Sequence, residues 1–185
     1  MPETLRLLLD RIDTPIGELL IAADESGNLR AVDWTDHEAR MLRLLRLHYG
    51  ENGFKLEPQR HPGALTQAIA TYFVGDLQAI ENLPVQTAGT PFQRAVWHAL
   101  RQIDCGTTVS YAELARRIGR PNAVRAVGLA NGSNPVGIVV PCHRVIGADG
   151  SLTGYGGGIE RKRWLLQHES KYARENATVP VLSCL

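Results

Sequence analysis

One pair of neighbours in this 185-residue chain sets a nucleophile beside a base: Cys142 and His143, followed by Arg144. A cysteine attacks as its thiolate, so it needs positive surroundings or a base that removes its proton. The imidazole and the guanidinium offer both, and the glycine-rich stretch 147–158 lets a ligand approach the backbone closely. The competing reading is a small buried hydrophobe at a strand end, the ordinary fate of a cysteine. Geometry adds a condition, because successive side chains on a regular strand point to opposite faces. Cys142 and His143 act together only if the backbone turns after Pro141 or a water bridges them.

Glu169 is the second candidate. Leu165 and Leu166 precede it by four and three residues in a helical segment, so it shares their apolar face. Such a carboxylate sits either at an exposed helix end or buried beside a donor, for which a histidine is the natural choice. Cys142, His143 and Glu169 would then make a nucleophile, a base and an orienting group. Arg125, with Arg116, Arg117 and Arg120 before it, gives either a solvated face or a surface that neutralises phosphates. Tyr111 is placed to turn its phenol toward the same groove, whereas Trp97 and Trp164 read as core.

These residues need elements to hold them. In the first half, 5–12, 17–22 and 29–34 are apolar-rich strands around the turn cluster 24–28, an antiparallel meander. Helical spacing follows at 36–49 and 64–73, each ended by a glycine. The stretch 84–90 reads as a linker. Beyond it the chain is mostly helical. Thr90 and Pro91 open a helix with the stripe Phe92, Val96, Leu100 and Ile103, closed by Asp104-Cys105-Gly106. Ser110 and Glu113 form a capping-box pattern. The helix they open ends at Gly119, Pro121 starts the next, and that one runs to Gly132. This pair is either a DNA-binding helix-turn-helix or an ordinary packed helical pair. The apolar run 136–141 reads as a buried strand, and a last helix spans 159–170.

Composition narrows the class. At 44% hydrophobic and 21% charged the chain is an ordinary globular one, with a net charge of +1. That total hides a division: residues 1–90 carry 8 basic and 13 acidic side chains, and residues 91–185 carry 12 and 6. The division suggests two units with different tasks; if a nucleic acid is a partner, its contact falls on the basic half, salt-dependent and modest, with the acidic half turned away. The N-terminal apolar run is too short for a signal peptide and no stretch suits a membrane span, which excludes a membrane role at this level. The three cysteines fit neither a disulfide framework nor paired zinc ligands, so a reducing cytoplasm is expected. No P-loop or dinucleotide fingerprint is present.

Pro141-Cys142-His143-Arg144-Val145, with Asn134-Pro135 before it and Gly154-Tyr155 after it, resembles the active site of the O6-alkylguanine-DNA alkyltransferases. Ser110-Tyr111, Arg125-Ala126-Val127-Gly128 and Trp164-Leu165-Leu166 resemble the same family in order and spacing. The first half, from Ile12-Asp13-Thr14-Pro15-Ile16-Gly17, is similar to its bacterial constitutive type. The resemblance implies an α+β protein: an N-terminal α/β domain of ribonuclease-H-like shape (1–84), a linker (85–90) and a C-terminal helical domain with a DNA-binding helix-turn-helix (91–170). A tail, 171–185, follows. It implies repair of O6-alkylguanine, and of O4-alkylthymine, in double-stranded DNA by transfer of the alkyl group to the protein's own cysteine.

Carried over, Cys142 is the acceptor, His143 a base acting through water and Glu169 its orienting carboxylate. Asn134 braces the helix pair against the cysteine segment. Tyr111 turns the phosphate and can give a proton to the leaving guanine. Arg125 fills the gap left by a flipped nucleotide, with Ala126 and Arg120 beside it on the DNA. Tyr155, Gly156, Val145 and Gly137 belong to the lesion pocket. No metal or other cofactor is implied, and the chain is expected to be a monomer that can cluster on DNA. Gly137 stands where some members have proline, so a pocket roomy enough for adducts larger than methyl is expected. Two other classes fit less well. A non-catalytic binder of alkylated DNA lacks the acceptor cysteine, which is present here. A thiol hydrolase would turn over repeatedly and has no use for the arginines.

Overall fold

The computed structural model describes residues 4–59 and 63–178. Its first half is built on a four-stranded sheet in the order β3-β2-β1-β4. Strands β1 (Leu5–Thr14), β2 (Gly17–Asp24) and β3 (Leu29–Trp34) form the expected antiparallel meander. Strand β4 (Phe54–Pro58) runs parallel to β1, and its five residues, ending in proline, carry too little pattern to be read from sequence. Alternation along β2 sends Leu19 and Ile21 to one face, Leu20 and Ala22 to the other, and both faces are covered. Met41 and Leu45 of α1 (Glu38–Tyr49) seal the second face. Ile69, Tyr72 and Phe73 of α2 (Ala64–Phe73) join the first, in one core with side chains of the second half.

The second half is helical. Helix α3 (Pro91–Leu100) begins in a complete capping box between Thr90 and Gln93. It stops at Leu100, earlier than the stripe suggested; Ile103 is buried from the turn that follows. Strand β5 (Val109–Ser110) leads into α4 (Tyr111–Arg117), where Ser110 caps the Glu113 amide. The Glu113 carboxylate turns to Arg116 and Arg117. Helix α5 (Val124–Gly132) starts three residues later than Pro121, which lies in the connecting turn.

Residues 136–141 are not a strand. Val136 makes a single bridge to Val32, and the chain then coils tightly, with Ile138 at φ 70°, into a 3-10 turn at Cys142–Arg144. A short strand β6 (Val145–Ile146) pairs with β5, and α6 (Ile159–Thr178) closes the fold. Helix α6 continues well past the expected end at 170. Its Tyr172 packs on His168 and against Gly75, whose φ of 112° and lack of a side chain admit the ring. Cys184 lies outside the described residues.

The halves are stitched along the outer edge of β3. Leu29 N–H donates to Pro84 O and Gln86 N–H to Leu29 O; Val32 N–H donates to Pro135 O and Gly137 N–H to Val32 O. The expected linker thus begins as a paired extension of the sheet, and the segment before Cys142 is tied to the same strand.

Candidate functional site

The 3-10 turn after Pro141 meets the geometric condition set by the sequence, because it frees Cys142 and His143 from strand alternation. Cys142 is 5% exposed and His143 and Glu169 are fully buried. His143 Nε2 lies 2.8 Å from Glu169 Oε1. Arg144 donates to the same carboxylate twice, from Nε at 2.9 Å and Nη2 at 2.8 Å, and the Tyr72 hydroxyl donates at 2.9 Å. The Gly106 amide adds a longer bond at 3.4 Å. Glu169 is therefore the buried member of the two alternatives, and its partners hold its pKa far below the usual carboxylate range against the cost of burial.

The tautomer follows. An ionised Glu169 only accepts, so Nε2 of His143 must carry the proton and Nδ1 keeps its lone pair. Among the described residues Nδ1 has no hydrogen-bond partner. Burial lowers the pKa of His143, although Glu169 opposes this, so the ring is neutral near pH 7. Burial also raises the Cys142 thiol, partly offset by a hydrogen bond from Asn134. At rest the pair is thus a thiol and a neutral base.

Asn134 is 1% exposed and knits this segment together. Its Nδ2 donates to Val140 O at 2.8 Å and its Oδ1 accepts from Val136 N–H at 3.0 Å. Its own carbonyl accepts from Arg40, which also bonds Gly132 O at the end of α5 and Asp33 at 2.6 Å. Lys162, fully buried, donates to the carbonyls of Val145, Thr153 and Gly154, and burial brings its pKa down to about 8.

A cleft of only about 10 Å³ adjoins Cys142, lined by Asn134, Gly137, Tyr155 and Gly156 and, from the first half, Trp34 and Arg40. Val145, expected in the pocket, is buried in β6 and is not among the lining residues. The room expected at Gly137 is not there. A Cβ at that position would lie 3.2 Å from Val32 O, so the sheet edge occupies the place of a side chain. On the outer surface Arg120, Arg125 and Ala126 are exposed, and among the described residues neither arginine has an ion pair. The Tyr111 hydroxyl donates to Thr153 O at 3.2 Å, and its ring lies near Gly128 of α5.

The structure places Cys142, His143, Glu169 and Asn134, all expected from the sequence, around one buried turn. Sequence reasoning missed Tyr72, Trp34 and Arg40, which come from distant elements and belong to no local motif, and Lys162, which lies on the same helix as Glu169. For Lys162 a signal existed: it lies one turn before Leu166 and one residue before Arg163, where only spacing relative to the apolar stripe distinguishes a buried cation from a solvated one. Among the described residues no group of three His, Cys, Asp or Glu side chains is arranged to hold a metal ion, and no helix is long and apolar enough to cross a membrane.

Comparison with known proteins matches both halves. Residues 8–87 match the family described as 6-O-methylguanine DNA methyltransferase, ribonuclease-like domain, and residues 91–171 its DNA binding domain. A methylated-DNA–protein-cysteine methyltransferase of Shigella flexneri is 53% identical over 165 residues, 89% of this chain and 96% of the relative. The crystal structure of the Mycobacterium tuberculosis O6-methylguanine methyltransferase superposes with a TM-score of 0.71 at 40% identity, covering 95% of this chain and 96% of that one. A Mycobacterium tuberculosis relative solved in complex with DNA gives 0.68 at 37% identity, covering 91% and 94%. With both halves matched in order and nearly the whole length shared, the chain belongs to the methylated-DNA–protein-cysteine methyltransferase family.

Proposed function

We propose that this chain repairs O6-alkylguanine, and O4-alkylthymine, in double-stranded DNA by moving the alkyl group to Cys142 Sγ, once per molecule. The observation that carries the reading is the buried His143, whose Nε2 is committed to Glu169 and whose Nδ1 is left as an acceptor beside the Cys142 turn. A water between Nδ1 and the thiol takes the Cys142 proton to His143, and Glu169 stabilises the imidazolium that results. The thiolate attacks the alkyl carbon. The S–C bond forms as the C–O6 bond breaks, and the electron pair passes into the guanine ring, which gains a proton. Tyr111 supplies that proton, and the thioether is stable, so the protein is spent.

Several features support the assignment of roles. Arg40 and Asn134 join the end of α5 to the Cys142 segment, so a helix pair that seats on DNA also positions the nucleophile. The exposed Arg120, Arg125 and Ala126 lie on that pair, and Arg125 at the start of α5 holds the stack when the damaged base leaves it. Flipping costs a few kcal/mol and less for a poorly paired lesion. Tyr155, Gly156 and Gly137 face the base. The division into 1–84, a connection at 85–90, 91–170 and the segment beyond is kept as a division of labour. The chain acts in the cytoplasm as a monomer that gathers on DNA, without a cofactor.

The test is stoichiometric. Incubation with a duplex containing O6-methylguanine should add one methyl mass to the intact protein, located on Cys142, with one event per molecule. Cys142→Ser should take up no methyl while binding the duplex as wild type does. An unchanged mass with the lesion intact, or repeated turnover, overturns the reading.

A further inference from the structure

Of the residues that line the Cys142 cleft from the first half, the aromatic one is Trp34, the last residue of β3. It is 2% exposed. A Cβ on Gly157 would fall 2.4 Å from Nε1, so the Gly157 backbone rests against the ring edge. The Arg161 guanidinium lies 4.4 Å from the ring centroid. Arg161 is itself fixed: it donates to Ile16 O at 2.9 Å, to Gly157 O at 3.1 Å and to Asp36 at 3.0 Å. Phe73 meets the indole edge-on, with centroids 6.4 Å apart. Gly157, Arg161 and Phe73 thus each hold the indole from a different segment.

Gly137 is backed by the Val32 carbonyl, Asn134 is locked by two backbone bonds, Arg40 is bonded to Asp33 and to the carbonyls of Gly132 and Asn134, and Gly156 and Gly157 have no side chains to move. Trp34 and Tyr155 are left as the aromatic walls, and Trp34 is the bulkier of the two. We propose that Trp34 determines which O6 substituents the protein accepts, with Arg161 as the residue that fixes its position. The inference rests on the alkyl-transfer reading. Small alkyl groups are favoured while the indole is in place, and shortening it admits arylmethyl groups. A misfit of one methylene in an apolar pocket changes discrimination by roughly 10- to 200-fold, so one aromatic wall is enough to set the preference.

The experiment compares rate constants for transfer from O6-methylguanine and O6-benzylguanine in the same duplex, read by intact mass. For Trp34→Leu the benzyl-to-methyl ratio should rise roughly tenfold or more. Trp34→Phe keeps an aromatic wall without the N–H and should move the ratio far less. Arg161→Met removes the anchor while leaving Trp34 in place and should move it in the same direction as Trp34→Leu. A role in folding alone would lower both rates together. An unmoved ratio in folded Trp34→Leu overturns the inference; if that variant does not fold, an unmoved ratio in Arg161→Met does so. Wild-type protein that accepts neither group overturns the alkyl-transfer reading first, whereas active wild type with unmoved ratios overturns this inference alone.

Discussion

Glu169 is ionised where water cannot reach it, so its charge depends on the neighbours that donate to it: Arg144, His143, Tyr72 and the Gly106 amide. Both titrating members of this group have pKa values lowered on folding, Glu169 by its partners and His143 by burial. The signs agree. A lowered folded value gives stability that is whole above the unfolded pKa and is lost as pH falls toward the folded one. Loss should therefore begin below about pH 6.5, as unfolded His143 takes a proton, and steepen below about pH 4.3, as unfolded Glu169 does. Urea midpoints across this range check it. Glu169→Gln leaves the buried Arg144 uncompensated and should cost about 3–5 kcal/mol at pH 7. The gap from wild type should narrow below pH 4.3, and a constant gap would contradict the assignment. At this scale the sequence is informative where chemistry is local. Adjacent Cys142 and His143, and a carboxylate on an apolar stripe, can be read directly. Tyr72 cannot, because nothing in α2 marks one core tyrosine as the donor to a carboxylate on α6.

Helices and strands show a different limit. The run 136–141 is apolar and buried throughout, which is all that periodicity detects, and the strand reading fails because Asn134 and Val32 claim its backbone groups. A β-branched residue at φ 70° persists only where both flanks are so fixed. The later start of α5 follows from the turn through Pro121 and Asn122, and it sets Arg125 in the first turn, exposed. In the reading proposed above, a side chain at that place serves duplex binding and base extrusion. Arg125→Ala should slow transfer from duplex O6-methylguanine roughly tenfold or more while leaving transfer from the free base O6-methylguanine near wild type. Equal losses on both substrates would remove the extrusion role.

For the molecule as a whole, the acidic and basic halves suggested two units with separate tasks, and the charge division does coincide with the exposed arginines of the second half. Their cores, however, are not separate: Tyr72, Phe73 and Trp34 lie in one cluster with Val127, Val140 and Leu165. Heating should therefore give one transition, with near- and far-UV circular dichroism changing together. Two resolved transitions would show that the halves unfold independently. The ordered connection at 84–86 was illegible beforehand because its composition resembles a linker, and only a vacant strand edge elsewhere gives it a partner.

That edge has a further consequence. A strand with unpaired amides and carbonyls adheres to any other strand it meets. In this molecule β3 is shielded by 84–86 and by 135–137, through four backbone hydrogen bonds. The second of these segments also carries the approach to Cys142. Colloidal behaviour and reactivity are thus drawn from the same few atoms, so damage at Asn134 or Gly137 should make the protein sticky and inactive together.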